Sequence, residues 1–345
     1  MNLKTIARLA GVSAVTVSNV INGNHNKVSQ ETIERVQKII EETHSQPKSA
    51  ARSLVLKQSR IIGVVIPGLT EEQPFSVSPY NAQILAHLER YIRNRGYYLM
   101  IRCVRRSREV IPAFSTWNVD GALLLGAFAD DVEELQRELD IPAVFIDAYA
   151  EEMPFANVGI DDYKGGYLAA EYLLERGHEQ IAFVGPSTEH LGVMRERYRG
   201  FCDAFGDRGM EPEFDHCFEA DTLYECGVAA GKRIAFSDLC FTAAVAMSDV
   251  LALGVMEGLR QCGLSVPEDF SVVGFDDLPE CRYSTPQLTT ISQHLEEKAR
   301  CAGEYLFSMI ENKEPYTGQK KVDVELIERQ SVRGIASDES IDLEE

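Results

Sequence analysis

Residues 3–21 read LKTIARLAGVSAVTVSNVI. With Thr5 as a cap, Ile6, Ala7 and Ala10 fall on one face at the three-and-four spacing of an amphipathic helix. Gly11 ends that helix and supplies a turn. Val12, Val17 and Val20 then give a second helix its inward face, and the small Ala7 lets the two helices approach. Ser13 is the natural N-cap of the second helix, which leaves Ala14, Val15, Ser18 and Asn19 pointing outward, where base edges would be met. The spacing predicts a helix-turn-helix. An ordinary helical hairpin would show the same spacing, so the rest of the chain has to decide.

Charge is the first context. The 345-residue chain carries a formal net charge of −20, which alone would repel phosphate. The charge is segregated, however. Residues 1–60 hold nine of the 34 basic residues and only four of the 54 acidic ones, a net of +5, leaving 25 basic against 50 acidic residues beyond them. A small basic head on a large acidic body suggests a nucleic-acid-binding module joined to a part with another task. The eight cysteines form no Cys-x-x-Cys pair and no zinc spacing with histidine, so they read as thiols in a reducing compartment. No signal peptide and no apolar run of membrane length is expected, which predicts a cytoplasmic protein.

After an Asn- and Gly-rich turn at 22–26, Ser29 can cap a third helix whose Ile33, Val36, Ile39 and Ile40 pack on the first two. Residues 45–60, SQPKSAARSLVLKQSR, read as a linker with one short apolar cluster, able to form a helix only if something stabilises it. From residue 61, strand-length apolar runs alternate with amphipathic helices. The runs are 61–66, 97–104, 121–126, 143–147, 181–185, 243–248 and 271–276. Such alternation implies parallel sheets covered by helices on both faces, and about 270 residues call for two lobes. The fold class expected is an all-α head followed by an α/β core of two doubly wound parallel-sheet lobes.

In doubly wound sheets ligands bind beyond the carboxyl ends of the strands. Polar residues stand there: Asp147 after the fourth run, Ser248 and Asp249 after the sixth, Asp276 and Asp277 at the end of the seventh. Two carboxylates from different strands, with Arg195 and Arg197 opening a helix nearby, suit a ligand rich in hydroxyls. Asp249 fits a helix N-cap, whereas Asp147 and Asp276 fit ligand contact better. Enzyme readings fare poorly, with no Gly-x-Ser-x-Gly, no His-Glu-x-x-His and no Gly-x-Gly-x-x-Gly. GVAAGKR at 227–233 lacks the glycine spacing and hydroxyl of a phosphate loop and reads as helix surface; His178 reads as a helix-to-strand turn. No catalytic, metal or cofactor site is expected.

Taken in order, TIARLAGVSAVTVSNVING, VSQETIERV, AARSL, IIGVVIP, VDGALLLG, IDDYKGGYLAAEYLLERGHEQIAFVG, VAMSDVLALGVMEGL, VPEDFSVVGFDDLPE and PQLTTISQ run nearly end to end along the chain. With these motifs the sequence resembles the lactose-repressor/galactose-repressor family of bacterial transcription regulators. The resemblance implies a homodimer on a near-palindromic operator in double-stranded DNA, each recognition helix lying in the major groove. It implies linkers that turn helical on DNA and insert Leu54 into the minor groove. It also implies a core like periplasmic sugar-binding proteins, crossing between lobes near residues 161, 290 and 320.

Carried over by position, the DNA-contacting residues are Thr5, Ser13, Ala14, Val15, Thr16, Ser18, Asn19 and Asn22 in the head, with Ala51, Arg52 and Leu54 in the linker. Asn19 can pair bidentately with adenine, although many relatives carry arginine there. Effector contacts fall on Tyr80 and its preceding loop 69–79, and on Asp147, Arg195, Arg197, Thr222, Ser248, Asp276 and Gln293. Thr222 occupies the family's stacking-aromatic position, so that ring is missing unless Tyr224 replaces it. Residues 105–117 are shorter than usual and should trim a helix. The divisions implied are a head at 1–45, a hinge at 46–60, a core at 61–336 and an acidic tail at 337–345. Lobe 1 takes about 61–160 and 291–320, and lobe 2 about 161–290 and 321–336. The function expected is a sugar-controlled repressor of carbohydrate-utilisation genes. A sugar-binding protein without operator function is the competing reading, and the basic head counts against it.

Overall fold

The computed structural model describes residues 3–21, 25–42, 58–67, 78–127, 129–150, 154–189, 192–212, 216–312 and 317–335. Asn22, Ala51, Arg52, Leu54, the loop 69–77 and the acidic tail lie outside the described residues. Two compact units emerge, residues 1–60 with 118–120, and 61–117 with 121–345.

The first unit holds helices α1 (Leu3–Ala10), α2 (Ala14–Ile21) and α3 (Gln30–Glu42), with a 3-10 turn at His25–Lys27. Ile6, Ala7, Ala10, Val17, Val20, Ile33 and Val36 form its core, so the apolar spacing of the sequence is realised directly. Gly11 takes φ +66°, the left-handed conformation a glycine enters without steric cost, and the chain reverses there. Ser13 Oγ accepts from Thr16 N at 3.0 Å, capping α2 as expected. Thr5 does not cap α1. That helix already includes Leu3, which places Thr5 within it.

The second unit is built on two six-stranded sheets. The first comprises β1 (Ile61–Ile66), β2 (Tyr98–Cys103), β3 (Gly121–Leu125), β4 (Ala143–Ile146), β5 (Asn157–Ile160) and β11 (Gln319–Val322), in the order β11-β5-β4-β3-β1-β2 with every pairing parallel. The second comprises β6 (Ile181–Gly185), β7 (Cys217–Glu219), β8 (Ala243–Ala246), β9 (Ser271–Asp276), β10 (Thr289–Ser292) and β12 (Glu325–Ile327), in the order β12-β10-β9-β8-β6-β7, with only the β12 pairing antiparallel. Helices α4 (Pro79–Asn94), α5 (Ile111–Trp117), α6 (Ala129–Glu138), α7 (Asp162–Leu174), α8 (Val193–Gly206), α9 (Tyr224–Ala235), α10 (Asp249–Gln261), α11 (Glu280–Tyr283) and α12 (Leu295–Asn312) complete it. The seven-residue α5, preceded by a 3-10 turn at Ser107–Val110, is the short helix expected there. β3, β6, β8 and β9 are buried along their whole length, as strands covered on both faces must be.

The chain passes between the sheets three times: from β5 to α7 at Asp161, from β10 to α12 at Gln293 and His294, and from β11 to β12 at Asp323 and Val324. The third passage comes slightly later than residue 320, because β11 still pairs with β5 through Val322.

Two helix pairs cross at backbone contact. In α9 and α10, Gly227 and Gly231 face Gly254 and Gly258, and a Cβ on Gly227 would lie 2.3 Å from the Leu251 carbonyl oxygen. The glycines of GVAAGKR are therefore a buried packing face, while Ala229, Lys232 and Arg233 of that stretch meet solvent as the sequence reading supposed. His178 is buried as a pin for the C-terminal segment. Its Nε2 lies 2.9 Å from the Arg333 carbonyl oxygen and its Nδ1 3.0 Å from Thr242 Oγ1. No helix among the described residues is long and apolar enough to cross a membrane.

Candidate functional site

On α2, Ala14 and Val15 are exposed, Val15 at 69%, while Thr16, Ser18 and Asn19 are half-buried. A single turn thus presents a bare apolar side chain beside the Asn19 amide. Lys4, Arg8, Lys27, Arg35 and Lys38 stand exposed on the same small unit, Lys38 beside Glu42 at 3.9 Å, and together they give it the positive surface an anionic partner meets.

The second unit contains a cavity of about 280 Å³ where strand ends of both sheets converge. Asp147, just past β4, and Asp276, closing β9, both line it. Their backbones are unusual, with φ of +57° and +127°, which turns each carboxylate away from its strand and into the space beyond the sheet. Such conformations cost on the order of 1–3 kcal/mol each and persist where the surroundings over-determine them.

Each acid is held by neighbours. Tyr80 Oη donates to Asp147 Oδ2 at 2.6 Å, and Lys298 Nζ lies 2.9 Å from both Asp147 oxygens. Gln293 Nε2 donates to Asp276 Oδ1 at 2.5 Å, and its Oε1 accepts from Lys298 at 2.6 Å. Burial pushes the Asp276 carboxyl well above the usual range, and the neighbouring Asp249 pushes it further. The Tyr80 hydroxyl is also raised, first by burial and then by the Asp147 charge.

Arg197 on α8 is buried and triply engaged. Its Nε donates to Asp162 Oδ1 at 2.8 Å, its Nη1 to the Met247 carbonyl at 3.0 Å, and its guanidinium lies 3.6 Å from the centroid of the Phe275 ring. Tyr149 Oη donates to the other Asp162 oxygen at 2.6 Å. Burial raises the Asp162 carboxyl against the opposing pull of Arg197.

The structure thus gathers Tyr80, Asp147, Arg197, Thr222, Ser248, Asp276 and Gln293 around one cavity. Thr222 sits exposed at its rim. Arg195 does not join them. It is exposed on α8 outside the lining, because two residues along a helix turn a side chain about 200° from the buried Arg197. Asp249 is not the cap of α10. Ser248 is, its Oγ accepting from Leu251 N at 3.2 Å. Asp249 is instead fully buried, accepting from Leu278 N at 2.7 Å and Thr290 Oγ1 at 2.5 Å. Sequence reasoning missed Lys298 and Asp162. The signal for Lys298 was its place on an apolar stripe with Leu295, Ala299 and Ala302. No cluster of metal-ligating side chains occurs among the described residues.

Residues 2–48 match the family described as bacterial regulatory proteins, lacI family, and residues 170–332 match the periplasmic binding protein-like domain. A relative from Vibrio cholerae serotype O1, HTH-type transcriptional repressor PurR, is 32% identical over 344 residues, covering 96% of this chain and 98% of its own. Among solved structures, a lac repressor dimer bound to operator and the anti-inducer ONPF aligns with a TM-score of 0.81 at 25% identity, over 95% of this chain and 98% of its own. The complex of the transcriptional regulator CelR with cellobiose aligns with a TM-score of 0.72 at 28% identity, over 95% of this chain and 99% of its own. A helix-turn-helix unit, a two-lobed binding core and relatives alike over almost their whole length agree: this chain belongs to the LacI family, as a DNA-binding transcriptional repressor and not an enzyme.

Proposed function

We propose that this repressor is released from, or tightened on, its operator by a small uncharged polyol, a sugar or sugar derivative, bound between the two lobes of its core. The observation that carries the reading is Asp147 and Asp276 facing one cavity from different sheets. A carboxylate accepts from neighbouring hydroxyls, which a sugar ring offers in pairs. The head (1–45) reads DNA through Ala14, Val15 and Asn19, with Thr5, Ser13, Thr16, Ser18 and Asn22 around them. The linker (46–60) adds Ala51, Arg52 and Leu54, and two copies of the chain span a near-palindromic site. Effector binding changes the relation of the lobes and with it whether the linkers fold on DNA. The shift in operator affinity is bounded by the ligand's difference in affinity for the two states. The genes controlled are then those of carbohydrate use.

Relatives named PurR make a planar nucleobase the competing ligand. Among the described residues the cavity is lined by one aromatic ring, Tyr80, whose hydroxyl is committed to Asp147, and Thr222 brings no ring to the opposite wall. That leaves little for a base to stack on. Fluorescence anisotropy on DNA from upstream of the protein's own gene, with neutral sugars and with purine bases, separates the two. A response to a sugar supports the proposal, and a response to purines alone reverses it.

A further inference from the structure

Lys298 is the sole charged residue among the buried positions of α12 and is fully inaccessible to solvent. Burying an ammonium is expensive unless its protons are all engaged. Here they are: Nζ meets Asp147 at 2.9 Å, Gln293 Oε1 at 2.6 Å and Tyr80 Oη at 3.3 Å. An ammonium has only donors, so the Gln293 oxygen must face it and the Gln293 nitrogen must face Asp276. One cation therefore ties Asp147 of the first sheet to Asp276 of the second through a single amide.

We propose that Lys298 is the positioning residue of the effector cavity. It holds Asp147 as an acceptor and turns Gln293 to donate to Asp276, which tunes the cavity for an uncharged ligand that donates hydroxyl protons. The ligand class rests on the effector reading above. It is supported by the cations: Arg197, the cation among the described lining residues, is already paired with Asp162, so the lining offers no uncompensated positive charge to an anion. The groups facing Asp147 are Tyr80 from α4 and Lys298 from α12. Beyond them, Tyr149 after β4, Asp162 on α7, Arg197 on α8 and Asp276 at the end of β9 act through space on the same cluster.

The test compares thermal stability against pH for the full chain, for Lys298→Met and for Lys298→Met with Asp147→Asn. Without Lys298 the half-buried Asp147 keeps the Tyr80 hydroxyl but loses its counter-ion, and a carboxylate so placed is harder to charge than in the unfolded chain, so stability falls as pH rises. The Met variant should therefore lose more stability at about pH 8 than at about pH 5, and adding Asp147→Asn should remove that slope. A loss equal at every pH and unrelieved by Asp147→Asn would overturn the assignment, reducing Lys298 to a filler of space. Where Lys298→Met alone does not fold, folding of the pair variant supports the assignment and its failure overturns it.

A ligand arm uses cellobiose and D-ribose as neutral probes and ribose 5-phosphate as the anionic one, by calorimetry. A neutral probe that binds the unmodified chain should bind the pair variant at least about tenfold more weakly, the equivalent of about one charge-assisted hydrogen bond. Unchanged affinity in the pair variant, or preference for the phosphate, would overturn the ligand class. If none of the three binds the unmodified chain, the effector reading fails for these probes while the stability arm still decides the role of Lys298.

Discussion

Gly166 and Arg197 pack backbone against backbone: a Cβ on Gly166 would lie 1.9 Å from the Arg197 carbonyl oxygen. On the facing helix Gly200 meets the Tyr163 carbonyl in the same way, at 2.0 Å. This close crossing of α7 and α8 is what brings the Arg197 guanidinium down to Asp162, a residue of the first turn of α7.

Gly166→Ala should therefore do more than strain a helix pair. Overpacking of this kind costs about 1–3 kcal/mol. Chemical denaturation should report that loss, and operator-binding assays should show a blunted effector response because Arg197 no longer reaches its partner. Full stability with a normal response would mean that the crossing is not what places Arg197.

The two arginines of α8 should separate cleanly. Arg197→Ala strands Asp162 as an uncompensated buried carboxylate, a loss of about 3–5 kcal/mol, and should abolish the effector response. Arg195→Ala, at an exposed position away from the cavity lining, should change unfolding midpoint and response little. A strong effect of Arg195→Ala on ligand affinity would return it to the site.

The pH dependence of stability should carry the mark of Asp249. Burial pushes its carboxyl up to about 7, against the hydrogen bonds from Cys281, Thr290 and Leu278 that favour its charge. A carboxyl that holds its proton more tightly when folded gives stability that is full below about pH 4, the unfolded value, and is lost as pH climbs toward 7. Melting temperatures measured from pH 4 to 7.5 should fall for the unmodified chain and fall less for Asp249→Asn, which keeps an acceptor for Leu278 N. Parallel curves would place the loss elsewhere.

On DNA, Asn19 and Val15 should affect specificity and Leu54 should affect the bend. Replacing Asn19 should alter the preferred base at one position per half-site, by about 1–3 kcal/mol of discrimination. Val15→Ser should cost affinity where a thymine methyl is met. Leu54→Ala should weaken specific binding well beyond non-specific binding; equal losses on both would mean the linker does not act as a wedge. Competition assays with single-base operator variants read all three.

The sequence revealed those parts of the fold where burial is apolar and continuous. IIGVVI and SVVGFD announce β1 and β9 because strands covered on both faces have no solvent side to interrupt the run. β11, QKKV, went unread because an edge strand with three exposed positions carries polar residues. β10, TTIS, is wholly buried yet silent for another reason: its hydroxyls are spent inside, Thr290 on Asp249 and Thr289 on the Arg329 amide.

The same holds for the site. Asp147 and Asp276 were legible as acids at strand ends. Lys298 was not, because a lysine on a helix is read as solvated unless its phase is compared with the apolar stripe. Phase would also have distinguished Arg197, which shares a face with Gly200, Phe201 and Ala204, from Arg195. Asp249 looked like a cap because its partners, on β10 and in the turn after β9, lie far away in the chain.

The three passages between the sheets are not neutral connectors. Asp162 follows the first directly, Gln293 is part of the second, and Asp323 at the third pairs with Lys164 of α7 at 2.6 Å. On the effector mechanism proposed above, Asp162 and Gln293 join the cavity network to the crossings about which the lobes would turn. In a machine arranged this way no relay is needed between detector and joint. Under that proposal occupancy of the cavity would alter the torque at the axle itself, and a substitution that stiffens a pivot should deafen the protein to its ligand and freeze its posture in one stroke.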